Sequence, residues 1–183
     1  STIVITAGET SSLTFKMKST IKPKEPRRTL VMLEAGWHPS QTSFGAMVGF
    51  VAKNGAYVRF RSDFGSVSAD LECDDTGALT GGGNGTPYYK EGVTQKARMS
   101  VTAGYMHRIA KTLYAYIGAG YGSRTLAWET VEDELVKNTD HSATGIAAEI
   151  GAIGRFGKFA VSVGCQTVNF KYMELSAGVG FFF

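Results

Sequence analysis

Lys171-Tyr172-Met173-Glu174-Leu175-Ser176-Ala177-Gly178-Val179-Gly180-Phe181-Phe182-Phe183 is the stretch on which the fold turns. Successive side chains of an extended strand point to opposite faces. Met173, Leu175, Ala177, Val179, Phe181 and Phe183 therefore share one face, and Tyr172, Glu174, Ser176, Gly178, Gly180 and Phe182 share the other. The first face is apolar from end to end. The second is small and nearly uncharged, which makes it a poor surface for water and a good filling for a crowded interior.

The same period of two runs back to Arg28. It predicts eight strands, at about 28–38, 43–53, 56–65, 96–107, 111–127, 143–155, 158–168 and 171–183. Most reach the roughly 9–11 residues that a tilted strand needs to cross a bilayer. Residues 111–127 set Leu113, Ala115, Ile117, Ala119 and Tyr121 against Tyr114, Tyr116, Gly118, Gly120 and Gly122, and residues 158–168 set Phe159, Val161, Val163 and Cys165 against Ala160, Ser162, Gly164 and Gln166. A soluble barrel would carry Lys, Glu and Thr on its outer face. Here the second face is mostly Gly, Ser and Ala, so the apolar face meets lipid and the small one lines the lumen. Eight strands leave an interior just wide enough for side chains, and closure removes strand edges that hydrocarbon cannot satisfy. The expected fold is all-β: an eight-stranded antiparallel up-and-down transmembrane β-barrel over residues 28–183.

Composition and connections agree. Charged residues make up 19% of the chain, against about 25% in soluble proteins. The net charge of +3 gives no reason to expect nucleic acid as a partner. No apolar run reaches the length of a transmembrane helix, which says nothing against strands. Short turns at 53–55, 108–110 and 156–157 alternate with a long acidic loop at 66–95, another at 128–142, and short links at 39–42 and 169–170. Outer-membrane barrels have short periplasmic turns and longer external loops, so both termini are expected on the periplasmic side. Trp37, Phe44, Phe64 and Tyr121 are expected in an outer aromatic girdle and Tyr105, Phe159, Phe181 and Phe183 in an inner one.

The closing run from Leu175 to Phe183, with its terminal aromatic and alternating apolar residues, resembles the C-terminal signature of Gram-negative outer-membrane proteins. With eight strands, residues 28–183 resemble the small OmpA/OmpX-type barrels. The resemblance implies an outer-membrane location, a lipid bilayer and lipopolysaccharide as surroundings, and Val179, Phe181 and Phe183 as the signature read by the barrel-insertion machinery during assembly. Residues 3–17 resemble the last hairpin of a PEGA-type periplasmic module, and residues 18–27, with Pro23 and Pro26, read as a linker. Residues 1–27 are thus expected to be a periplasmic β-hairpin remnant and linker. A chain starting at Ser1 without Met reads as a processed or truncated product.

Glu34, Arg59, Arg61, Asp63, Arg98, Arg124, Glu149 and Glu174 all fall on the inward face. A buried charge left unpaired costs about 3–5 kcal/mol, so these eight are expected to form a paired network that plugs the lumen; a gated ion path is the sharper alternative. The run from Asp70 to Asp75 has carboxylates for a divalent cation but lacks the EF-hand spacing, so no metal and no cofactor are expected. Gly81-Gly82-Gly83-Asn84-Gly85 lacks the strand–helix setting of a phosphate loop. His141-Ser142 and His38 with Ser40 resemble the rim residues of lipid A-modifying barrels, but neighbouring strand residues point apart, and no enzyme is expected. Cys73 reads as a loop thiol and Cys165 as a small apolar residue facing lipid; whether they are bridged is open. The basic stretch 16–28 suits a solvated linker or anionic headgroups of the inner leaflet. The leading functional reading is a non-enzymatic membrane anchor or accessory subunit of a larger outer-membrane complex. The alternative is a surface adhesin or binding barrel that uses the long acidic loops, and a lipid A-modifying enzyme ranks below both.

Overall fold

A computed structural model describes residues 26–38, 41–81 and 83–183. The strands are β1 (Arg28–His38), β2 (Gln41–Val51), β3 (Asn54–Ser62), β4 (Leu71–Cys73), β5 (Leu79–Gly81), β6 (Tyr89–Ala110), β7 (Leu113–Thr130), β8 (Leu135–Asn138), β9 (Ala143–Phe156), β10 (Phe159–Val168) and β11 (Tyr172–Phe182). Eight of them, β1, β2, β3, β6, β7, β9, β10 and β11, form a closed antiparallel ring. The ring shuts where β1 meets β11, in a ladder running from Leu30 opposite Phe182 to Trp37 opposite Leu175. The PEGA-like stretch at 3–17 and the linker of 18–27 as far as residue 25 lie outside the described residues.

Alternation decides which side chains meet which solvent. Leu33, Phe50, Ile117, Val163 and Val179 are exposed on the outside, while their neighbours Met32, Gly49, Tyr116, Ser162 and Gly178 face inward. A soluble protein would not display such a belt; a bilayer requires one. The lumen divides into two layers. Near the short turns it is an apolar core of Leu30, Met32, Met47, Val51, Met106, Tyr114, Ile153 and Phe182, with Tyr57 and Tyr116 above them. Toward the long loops it turns polar and charged.

Several boundaries differ from the sequence reading. β2 starts at Gln41, which shortens the first link to residues 39–40. The three tight turns fall at 52–53, 111–112 and 157–158, so β6 runs on through Ala110 where a turn at 108–110 was expected. The largest difference is in the loops at 66–95 and 128–142. β6 begins at Tyr89 and β7 ends at Thr130, so one hairpin continues well past the apolar belt, and β4, β5 and β8 pair beside it. The physical reason is that these loops carry their own apolar residues, including Leu71, Val136, Trp128 and Tyr89, which a sheet can bury.

The turn between β10 and β11 stores strain. Asn169 and Phe170 have φ of 48° and 55°, the left-handed pair of a type I′ hairpin, closed by Lys171 N donating to Val168 O at 3.0 Å. Asn tolerates that conformation; Phe does so at a cost of roughly 1–2 kcal/mol. Asn169 also braces the rim: its Oδ1 accepts from Ile146 N at 3.0 Å and its Nδ2 donates to Thr144 O at 2.7 Å. Phe170→Gly should raise the unfolding free energy of the vesicle-embedded barrel, read from its urea midpoint, by about 1 kcal/mol. Asn169→Ala should lower it.

Candidate functional site

Inside the barrel, the outer half of the lumen holds the charges. Arg59, on β3, lies between two acids: its Nε is 2.5 Å from Glu34 Oε2 and its Nη1 is 2.6 Å from Glu149 Oε2. Both partners are buried, one on β1 and the other on β9, so the triad ties together strands that do not neighbour one another. Its guanidinium also sits 4.7 Å from the centre of the Tyr116 ring and 5.5 Å from that of Tyr57, and the two tyrosines meet edge to face at 5.6 Å. Tyr57 OH and Thr102 Oγ1 donate to Glu149 Oε1 at 2.6 and 2.8 Å, and Ser162 Oγ donates to Glu34 at 3.0 Å.

One step toward the long loops, Glu174 on β11 is the second hub. Arg98 Nη2 lies 2.7 Å from it and Arg61 Nη2 3.6 Å, and Ser43 Oγ donates to its other oxygen. Arg61 also donates to Gln166. Arg124 is buried at the outer end, its guanidinium 4.1 Å from the centre of the Tyr172 ring, with Nε donating to Gln41 Oε1 at 3.4 Å. Asp63 shares Gln41 with Arg124. It follows the end of β3, is half-buried, and accepts from Gln41, from Arg98 N at 2.8 Å and from Gly65 N at 3.0 Å.

The small inward residues make room for this network. A methyl group at Gly118 would overlap the Tyr57 hydroxyl, one at Gly164 would overlap that of Tyr116, and one at Gly36 would strike Glu174 and Ser43. The expectation that residues of this face are small is therefore specific: glycines stand where rings and carboxylates cross the axis. Tyr57, Tyr116, Thr102, Ser162 and Gln166 were expected on the inward face but not as members of the network, and Ser43 was not singled out; these residues supply most of its hydrogen bonds. Their signal was their parity, since each occupies an inward position on its strand.

Outside the belt lies the second region. β5, β4, β8, β7 and β6 lie side by side as one sheet, with β4 parallel to β8. Cys73, Ala127, Val136 and Asn138 are fully buried in it. Tyr89 packs edge to face on Trp128 at 5.4 Å and donates to Gly77 O at 2.7 Å. Asn138 Nδ2 donates to Asp74 O at 3.0 Å, and Lys137 pairs with Glu72 at 2.8 Å. Lys90 pairs with Glu129 at 2.5 Å and with Asp133. Burial raises the Cys73 thiol above its usual range, and both cysteines are free. The hydroxyl and amide of Thr76, helped by Ala78 N, hold Asp74 below the ordinary carboxylate range. Among the described residues no group of three or more His, Cys, Asp or Glu could hold a metal.

Trp37, Phe44, Phe64 and Tyr121 are exposed toward the long loops, while Phe159, Phe181 and Phe183 form a line at the opposite end with centroids 5.0 and 6.4 Å apart. Val179 belongs to the same exposed face. The backbone N–H of His141 donates to Asn138 Oδ1 at 2.7 Å, and Ser142 Oγ accepts from Leu126 N at 3.1 Å. The His38 ring meets Tyr172 at 6.4 Å; Ser40 lies outside the described residues.

No protein-family model matches the chain, and no curated protein matches it. Among solved structures it is similar to Ail, the attachment invasion locus protein of Yersinia pestis, in complex with the heparin analogue sucrose octasulfate, at 12% identity over 86% of this chain and 96% of that one, TM-score 0.49. It is also similar to the designed barrel TMB2.3, at 13% identity over 87% and 97%, TM-score 0.47, and to Neisserial surface protein A, at 13% over 85% and 94%, TM-score 0.40. The closed ring and its apolar belt make the chain, on its own geometry, a small eight-stranded barrel of the outer-membrane type.

Arg59→Met should destabilise the barrel by about 3–5 kcal/mol, because it strands two buried carboxylates; the urea midpoint measures it, and adding Glu149→Leu should restore part of the loss. For the external sheet, a lowered carboxylate stabilises above its ordinary pKa and stops doing so as pH falls through the lowered value. Protection from hydrogen exchange at Thr76 and Ala78, taken relative to the intrinsic rate at each pH, should therefore fall as pH drops below the usual carboxylate range, and Asp74→Asn should remove that pH dependence.

Proposed function

We propose that this chain is an outer-membrane protein whose barrel is a plugged anchor and whose working surface is the external sheet, presented to a cationic partner. The observation that carries the reading is that the β6–β7 hairpin continues from the membrane into a folded sheet with a buried centre. A loop that served only to join strands would not need Cys73, Val136 and Ala127 packed to zero exposure. Residues 63–96 and 128–142 together carry eleven Asp or Glu against three Lys. Complementary charge steers encounter over about a Debye length. A polyanion of the kind bound to Ail would be repelled by such a surface. The short-turn end is basic, and we assign it, with both termini, to the periplasm.

The barrel itself contributes rigidity. An apolar core closes one half of the lumen and ion pairs cross the other, so it works as an anchor and does not conduct. Val179, Phe181 and Phe183 are exposed at the short-turn end of β11 and are assigned to recognition by the insertion machinery. The accessory-subunit reading rests on residues 3–17, outside the described part, and the folded external sheet favours surface binding over it. No catalytic role is assigned to His38 or His141.

Cells displaying the chain should retain a fluorescent oligolysine peptide, with retention falling steeply as salt rises. Replacing Glu129, Glu132, Asp133 and Glu134 with lysine should abolish retention while leaving the folded band on unheated gels. Retention unchanged by that replacement and by deletion of 71–81 would reject the reading. Sustained single-channel conductance in planar bilayers would reject the plug.

A further inference from the structure

The glycine-rich run that follows β5 holds one of the two Asn-Gly steps in the chain, Asn84-Gly85; the other is Asn54-Gly55. Such a step carries its own chemistry. The glycine nitrogen can close a five-membered ring onto the asparagine Cγ, because glycine has no Cβ to obstruct the approach. Closure requires that ψ of the asparagine leave the extended value of about +135°. It also requires a side-chain amide free to turn.

The structure separates the two steps. Asn54 opens β3 opposite His107, and Gly55 is paired with Met106 on one side and Val51 on the other. Asn54 Oδ1 lies 2.8 Å from His107 Nδ1. The ladder and that contact keep the two reacting groups apart. The remaining two asparagines are also held, Asn138 by Asp74 O and the His141 N–H, and Asn169 by Ile146 N and Thr144 O. Asn84 alone of the four makes no side-chain hydrogen bond among the described residues. Asn84 and Gly85 are both exposed and lie in no strand. Gly85 has φ of 95°, and the space where its Cβ would stand is empty to 4 Å.

We propose that Asn84-Gly85 is a site of spontaneous covalent modification on the external sheet, by deamidation and backbone isomerisation with water as the co-reactant. Gly85 N bonds to Asn84 Cγ, the Cγ–Nδ2 bond breaks, and the amide leaves as ammonia with the proton from Gly85 N. Water then opens the ring. Cleavage between Gly85 N and Cγ leaves aspartate. Cleavage between Gly85 N and the main-chain carbonyl carbon of residue 84 leaves isoaspartate, in which the main chain runs through Cγ. Both products add a carboxylate that is ionised at neutral pH. Isoaspartate also inserts a methylene just before Gly85, whose carbonyl accepts from Leu79 N at 2.8 Å. That bond fixes the start of β5, the strand at the edge of the sheet, so isomerisation releases the edge.

The test uses the full chain folded in dodecyl maltoside and held for days in heavy-oxygen water at mildly alkaline pH. Digestion with trypsin in ordinary water follows, so that heavy oxygen marks only what reacted in the folded barrel. Peptide 62–90 should carry the label at Asn84. It should run at least about tenfold ahead of Asn54 in peptide 54–59, because Asn54 reacts only when its ladder opens. In urea the two sites should react at similar rates. The aged barrel should lose hydrogen-exchange protection at Leu79. Asn84→Gln should prevent that loss, and Asn84→Asp, which has the charge without the extra methylene, should keep the protection. An Asn84 that reacts in urea but stays amidated in the folded barrel, or that reacts no faster than Asn54, overturns the proposal. Unchanged protection at Leu79 in a sample rich in isoaspartate overturns the release of β5.

Discussion

Hydrocarbon offers no hydrogen bonds, so each backbone N–H and C=O that crosses it must be satisfied by another strand. Everything else here follows from that. A row of eight strands meets the condition only if its first and last strands pair, which the β1–β11 ladder does. Closure at eight strands then fixes a narrow lumen, and the narrow lumen dictates residue size. Where Tyr57, Tyr116 or Glu174 reaches across, it meets Gly118, Gly151 and Gly164, or Gly36, respectively. The charges are thus a consequence of geometry as much as a cause of stability. Buried ion pairs are weak evidence of net stabilisation, but once a guanidinium is inside, its two carboxylates cannot be removed one at a time without penalty.

The two layers of the lumen divide the labour. Apolar contacts between Leu30, Met32, Met47, Met106, Ile153 and Phe182 need no partners with exact direction, so they tolerate sliding. The Arg59 triad does demand direction and joins β1, β3 and β9. A strand slipped by one residue would turn every side chain to the other face and leave Arg59 in lipid. The network therefore selects register more than it adds strength.

How much of this was legible beforehand follows from which signals are local. Parity along a strand is local, so the assignment of Val179 outward and Gly178 inward needs only the sequence. Seven of the eight charges are buried in the lumen for the same reason; Asp63, one residue past the end of β3, is half-buried and bonded to Gln41. Pairing across the lumen is not local. Nothing in the sequence ties Arg59 to Glu149, ninety residues away, and nothing ties Leu71 of one long loop to Val136 of the other. Those loops read as solvated because Gly81 to Gly85 and the carboxylates mask short apolar runs. A three-residue strand such as β4 has too few alternations to announce itself.

The length of the β6–β7 hairpin has a consequence for reach. Twenty-two residues in β6, at roughly 3.3 Å each and tilted by roughly 40°, rise about 55 Å along the membrane normal. Hydrocarbon takes up about 30 Å of that. Allowing for the few residues beyond the belt at the other end, the tip stands roughly 20 Å clear of the acyl chains. At that height it overtops the headgroup layer, and because the ladder is continuous from Thr94 opposite Trp128 down to Arg108 opposite Tyr114, a pull applied above Thr94 arrives at the barrel wall as shear along a paired ribbon.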